Sequence, residues 1–161
     1  MTIAERFIQK AKAFPKRILL PEGFDPRVAA AARRLKDEGI CEPVVLGSEE
    51  KLAGACTEAG VSLDGIETLD HSASPRLPLY ATSYTERRGV SERVANRIVG
   101  KLLPFGACMV SAGDADGMVG GVAATTAEMT MAAGLAIGYR EGVEAPSSLF
   151  IMELPDQRDA A

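Results

Sequence analysis

Four groups of residues in this sequence have types and spacings that could do chemistry. Gly120-Gly121 leads, after a short interval, into Thr125 and Thr126. Glycines let a backbone approach an anion closely, and a helix N-terminus offers free N–H groups and a partial positive charge. Two hydroxyls would add donors, so phosphate is the ligand this loop would suit. The same residues also describe a capping box, Thr125-x-x-Glu128, after a tight turn. Arg87 and Arg88 stand just before Gly89. A guanidinium pair can clamp phosphate bidentately, or it can close a helix C-terminus, where cations oppose the dipole. Asp114 and Asp116 flank Ala115 and would share one face of an extended segment. Such a pair could hold a divalent cation or exchange protons, and a turn is the alternative. Glu22 and Asp25 follow a short apolar run, at the end of a strand where α/β folds place ligands. Asp25 also suits a helix cap.

Other reactive types offer less. His71 is the one histidine, in a polar stretch that reads as surface, and a two-histidine metal site cannot be built within one chain. No metal site is expected. Cys108 falls in an apolar helical run and reads as a small buried residue, not a nucleophile. Met109, Met118, Met129 and Met131 read as core filler.

The elements that must position these groups follow from periodicity. Residues 2–13 carry Ile3, Phe7, Ile8 and Ala11 on one helical face. Residues 17–22 read as a buried strand. Asp25 and Pro26 then open a helix as N-cap and first helical residue, through Val28, Ala31, Ala32 and Leu35 to Gly39. Residues 43–47 form the next strand, Ser48 caps a helix ending near Gly60, and residues 66–69 form a third strand. Helices are expected after Pro78 up to Gly89, from Ser91 through Leu102, and from Pro104 through Met109. A short strand at Met118-Val119 precedes the Thr125 helix, which runs to Ala136. Residues 148–154 read as a last strand. Alternating strands and helices define an α/β fold, a parallel sheet flanked by helices.

Composition narrows the classes further. The 161 residues are 47 % hydrophobic and 25 % charged, which suits a domain with a real core. A net charge of −4 gives no basic footprint for nucleic acid. Cys41, Cys56 and Cys108 lie far apart, with no CxxC pair, which points to free thiols in a reducing cytoplasm. The start, Met1 to Arg6, is polar and does not read as a signal peptide. No uncharged apolar run reaches the roughly 18 residues of a membrane span.

Four segments in order carry a family resemblance. Leu20-Pro-Glu-Gly-Phe-Asp-Pro-Arg27 resembles the first strand-to-helix turn of the phosphate acetyl/butyryltransferases. Gly113-Asp-Ala-Asp-Gly-Met-Val-Gly-Gly121 resembles their central glycine-aspartate segment. Thr125-Thr126 and Pro146-Ser-Ser-Leu-Phe-Ile-Met152 follow at similar spacing. The resemblance implies acyl transfer between coenzyme A and inorganic phosphate, with coenzyme A or acetyl-CoA as substrate and no tightly bound cofactor. It also implies a fold like the isocitrate and isopropylmalate dehydrogenases, with two α/β domains around a cleft, paired as dimers. Residues 1–145 would be the amino-terminal domain and 146–161 the first strand of a truncated second domain.

The family's serine-arginine pair, its catalytic aspartate and a second-domain arginine would lie outside this chain, so no catalytic residue is assigned within it. Substrate-binding expectations fall on Arg87, Arg88, Gly120, Gly121, Thr125 and Thr126. A further family arginine maps to Met131, a departure from the pattern, and Arg140 lies further along the chain. An incomplete acyltransferase, weak or inactive alone, is thus expected. A regulatory module that binds acetyl-CoA is the alternative, and a remnant that pairs with a separate carboxyl-terminal chain is a third reading. A dehydrogenase of the same fold is disfavoured, because Pro21-Glu-Gly23 stands where a GxGxxG turn would be.

Overall fold

Four short parallel strands and seven helices make up the computed structural model, which describes residues 2–152. The strands are β1 (Arg17–Leu20), β2 (Glu42–Leu46), β3 (Glu67–Leu69) and β4 (Gly117–Met118), in the order β3-β2-β1-β4. The helices are α1 (Ile3–Ala13), α2 (Pro26–Asp37), α3 (Glu49–Ala59), α4 (Leu77–Arg88), α5 (Glu92–Val99), α6 (Leu102–Ala112) and α7 (Thr126–Ala136).

Alternation along the strands builds two cores, because successive side chains leave a strand on opposite faces. Leu19, Val44 and Leu46 point to one face, where Tyr80, Tyr84, Val99, Phe105 and Ala132 of α4 to α7 cover them. Leu20 and Val45 point to the other, beneath Val28 and Ala32 of α2 and Leu52 of α3. Phe105 is fully buried and meets Tyr80 edge-on, with ring centroids 5.3 Å apart. Burying such a side chain stabilises by about 1.5–3 kcal/mol, and an edge-to-face pair adds about 0.5–1.5 kcal/mol.

Most helix boundaries obey the expected signals. Asp25 caps α2 by accepting from the Arg27 N–H, with Pro26 in the first turn. Thr125 and Glu128 form the anticipated capping box. Ser48 and Ser91 precede α3 and α5, yet neither hydroxyl makes a cap bond. α1 forms with a capping box of its own, Thr2 and Glu5, but buries none of its residues.

Three expectations about the fold are corrected here, and a fourth, at Met131, with the site below. Residues 148–152 form no strand, and Phe150 is 92 % exposed. A strand needs a neighbouring backbone to take its N–H and C=O groups, and these residues pair with none among the described residues. Glu153 and Leu154 lie outside the described residues. Asp114 and Asp116 do not share a face, because they follow the turn at Gly113 that closes α6 and are not extended. His71 is not on the open surface: its ring packs edge-on against Phe105 with centroids 6.1 Å apart, three quarters of it covered.

The strand order carries the functional consequence. From β1 the chain builds outward through β2 and β3, then returns to place β4 on the opposite side of β1. The crevice at the carboxyl ends of β1 and β4 is therefore the reversal point, where open parallel sheets bind ligands.

Candidate functional site

Two segments frame this crevice: Pro21-Glu22-Gly23 after β1, and the loop from Val119 to Ala124 between β4 and α7. Glu22 is only 2 % exposed. Its Oε2 accepts from the N–H groups of Gly121 at 2.6 Å and Val122 at 2.9 Å, and its Oε1 accepts from Ala123 at 2.8 Å and Ala124 at 2.6 Å. Four successive amides thus converge on one carboxylate, as amides in a nest converge on a bound anion. Burial pushes the Glu22 carboxyl up, but the four amides outweigh it and hold it below the usual glutamate range. Gly121 has φ +103°, which strains any side-chain-bearing residue and lets the loop turn its amides inward. Gly23 is a close approach of a different kind, since a β-carbon there would stand 2.5 Å from the Leu46 carbonyl oxygen. On the outside of the nest, Arg27 pairs with Asp25 at 2.7 Å and also donates to the Val122 carbonyl at 3.3 Å.

The capping box closes the next stretch. The Thr125 N–H and hydroxyl both donate to Glu128 Oε2, at 2.7 and 2.8 Å, and the Glu128 N–H donates to Thr125 Oγ1 at 3.3 Å. The Thr126 hydroxyl and the Thr126 and Ala127 N–H groups have no protein partner among the described residues, and Thr126 is exposed. The Gly120 N–H, just before the nest, likewise has no protein partner among the described residues, so Gly120, Thr126 and Ala127 hold the donors of the loop and helix start that are left for a ligand.

Arg87 and Arg88 lie at the opposite end of α7. The Arg87 guanidinium donates to the Ala136 carbonyl at 2.7 Å and to Ser111 Oγ at 2.6 Å. Arg88 donates to the Leu135 carbonyl at 2.9 Å and also to the Gly134 carbonyl. Both thus satisfy the terminal carbonyls of α7, where a cation also opposes the helix dipole. An 11-residue helix is roughly 16 Å long. Thr125 and Thr126 at its start and the arginines at its end therefore cannot hold one phosphate together.

The remaining groups sit elsewhere. Asp114 accepts from Tyr80 at 2.5 Å and from Arg76, and these two hold its carboxyl below the usual aspartate range. Asp116 accepts from the Arg17 N–H at 2.8 Å and from Lys16 at 3.3 Å. Both mark the amino ends of β1 and β4, away from the crevice. Among the described residues no cluster of three or more metal-ligating side chains occurs. Cys108 is buried, which pushes its thiol up to about 11 and leaves it protonated at neutral pH. Burial, with Lys51 nearby, lowers the His71 pKa against the opposing pull of Asp70. Met131, expected as core filler, is instead exposed, because it lies on the outer side of α7, and lines a cleft of about 440 Å³ with Leu102, Leu103, Lys101 and Glu128.

The residue that sequence reasoning undervalued is Glu22. It stood out only by its position at a strand end. A carboxylate between Pro21 and Gly23, closing a buried strand, had to find donors inside the protein. A glycine-bearing loop before a helix was the available supply.

A parallel sheet covered on both faces, with its strand order reversing between β1 and β4, defines the α/β class. The chain belongs to the phosphate acetyl/butaryl transferase family, whose model matches residues 2–160. It is 35 % identical over 159 residues to the phosphate acetyltransferase of Thermoanaerobacterium thermosaccharolyticum, covering 97 % of this chain and 48 % of that protein. With the phosphate acetyltransferase of Nitratidesulfovibrio vulgaris it shares 34 % identity, over 93 % of this chain and 22 % of that one. Solved phosphotransacetylases agree: that of Streptococcus pyogenes superposes with a TM-score of 0.82 at 29 % identity, over 90 % of this chain and 46 % of its own. The enzyme from Staphylococcus aureus gives 0.79 at 30 % identity, over 88 % and 43 %. The chain thus spans less than half the length of these relatives.

Proposed function

We propose that this chain is the amino-terminal portion of a phosphate acyltransferase, moving an acyl group between coenzyme A and inorganic phosphate, and that alone it is weak or inactive. The observation that carries this reading is the match to phosphate acetyltransferases along 97 % of the chain but only 48 % of the relative. Acyl transfer to or from the thiol needs a base, and cationic or N–H donors for the developing anion. The donors open here are those at Gly120, Thr126 and Ala127, and the base comes from outside residues 2–152. A ligand as long as coenzyme A, unlike a lone phosphate, could run along α7 from Thr126 toward Arg88. Coenzyme A and acetyl-CoA act as substrates, with no tightly bound cofactor, in a cytoplasmic homodimer or with a separate carboxyl-terminal chain.

A second reading, an acetyl-CoA-binding module without turnover, is favoured by one observation: Glu22 and the α7 carbonyls already occupy most of the donors that transfer would use. Thioester formation from acetyl phosphate and coenzyme A, followed on pure protein, tests both. The expected result is negligible turnover, and a normal turnover number would overturn the claim of incompleteness. Saturable acetyl-CoA binding without turnover would favour the binding module.

A further inference from the structure

The four-amide nest has a fixed occupant that the proposed reaction does not use. Two N–H groups reach each Glu22 oxygen, all within 2.6–2.9 Å, and the carboxylate is buried beneath a loop whose residues Gly121, Val122 and Ala123 are exposed. Two donors per oxygen match a planar carboxylate with two acceptor oxygens. We infer that the loop from Gly121 to Ala124 is an anion-binding site for small carboxylates, with Glu22 as its resident ligand, and that Glu22 thereby positions the start of α7. A free anion of the same shape can take the place of the side chain once that side chain is removed.

Three features support the assignment beyond simple loop stabilisation. The donors are consecutive main-chain groups, so mutating Glu22 removes none of them. Gly121 at φ +103° supplies the turn that aims them inward. Glu22 reaches the nest from the end of β1, across the crevice, so its bonds tie β1 to the loop after β4.

Glu22→Ala tests this directly. Thermal midpoints would be read in formate, in acetate and in chloride at matched ionic strength. In chloride the variant should melt about 5–10 °C below the parent protein, a large shift for a domain of this size. Formate or acetate should restore at least half of that loss in a saturable way, while leaving the parent unmoved. Equal midpoints in chloride, or equal stabilisation of both proteins by formate, would overturn the inference. If Glu22→Ala does not fold, amide hydrogen exchange in the parent protein decides. The Gly121 to Ala124 amides should exchange at least tenfold more slowly than those of exposed residues 148–152, and equal rates would refute a filled nest.

Discussion

Arg87→Ala separates the two roles open to the arginine pair, phosphate clamp and helix clamp. The Arg87 guanidinium donates to the Ala136 carbonyl at 2.7 Å and to Ser111 Oγ at 2.6 Å. Hydrogen bonds from a charged group contribute about 1.5–3 kcal/mol where they are shielded. Arg87 is exposed, so about 1 kcal/mol each is the better figure, with solvent screening taken into account. Removing a cation from the C-terminus of α7 costs about 0.3–1 kcal/mol more. The sum is about 2–3 kcal/mol, or a melting midpoint lowered by about 5–10 °C in a domain of this length. Circular dichroism would read the midpoint, and calorimetric titration with coenzyme A would read binding at a temperature where the variant stays folded. A helix clamp predicts a lower midpoint with binding little changed, and Arg87→Lys should fall between the parent and the alanine variant. An unchanged midpoint would refute the structural reasoning and return Arg87 to the ligand.

Gly23→Ala should destabilise by about 3 kcal/mol or more, since its β-carbon meets a backbone oxygen that cannot rotate away; a urea midpoint equal to the parent's would contradict this. Phe105→Leu should cost about 1–3 kcal/mol and raise the His71 pKa toward its ordinary 6.5, because the burial that lowers it is partly relieved. Proton NMR of the one imidazole follows that titration, and an unmoved pKa would remove Phe105 as the cause. The Glu22 carboxyl is held below its ordinary 4.5, so its contribution to stability is complete above that value and is lost as pH falls through the lower folded value. Arg27 and Glu128 are the charged groups that face it. Unfolding free energy measured from pH 7 to 3 should therefore fall on the acid side, and Glu22→Gln should flatten that fall.

Local signals made much of this fold readable. Asp25-Pro26, Thr125 with Glu128, and the glycines at 60 and 89 act within a few residues of themselves, so sequence alone places α2, α7 and the ends of α3 and α4. What sequence could not place were pairings set by tertiary structure. Residues 148–152 have strand composition, but strand formation depends on a neighbour's free edge. Asp114 and Asp116 looked paired because two residues of spacing implies one face, which holds only while the backbone is extended. Arg87, Arg88 and Thr125 looked like parts of one site because a phosphate needs such groups. Nothing in the spacing between them showed that α7 would hold them at opposite ends.

Glu22 shows how these long-range pairings shape the proposed chemistry. An empty nest at the reversal point of the sheet would be the first place to seat phosphate. Here a carboxylate from the same chain fills it, and a second anion in that place would face both charge repulsion and spent donors. If the proposed function holds, a phosphate or thioester oxygen has to use the donors outside the nest, at Gly120 before it and at Thr126 and Ala127 beyond it, where α7 presents its positive end to solvent. These groups can orient an anion, but they include no base and no cation. On the proposed reading, the half of the relatives that this chain does not span has to bring both to the start of α7. Glu22, by fixing the loop that precedes it, fixes where they must arrive.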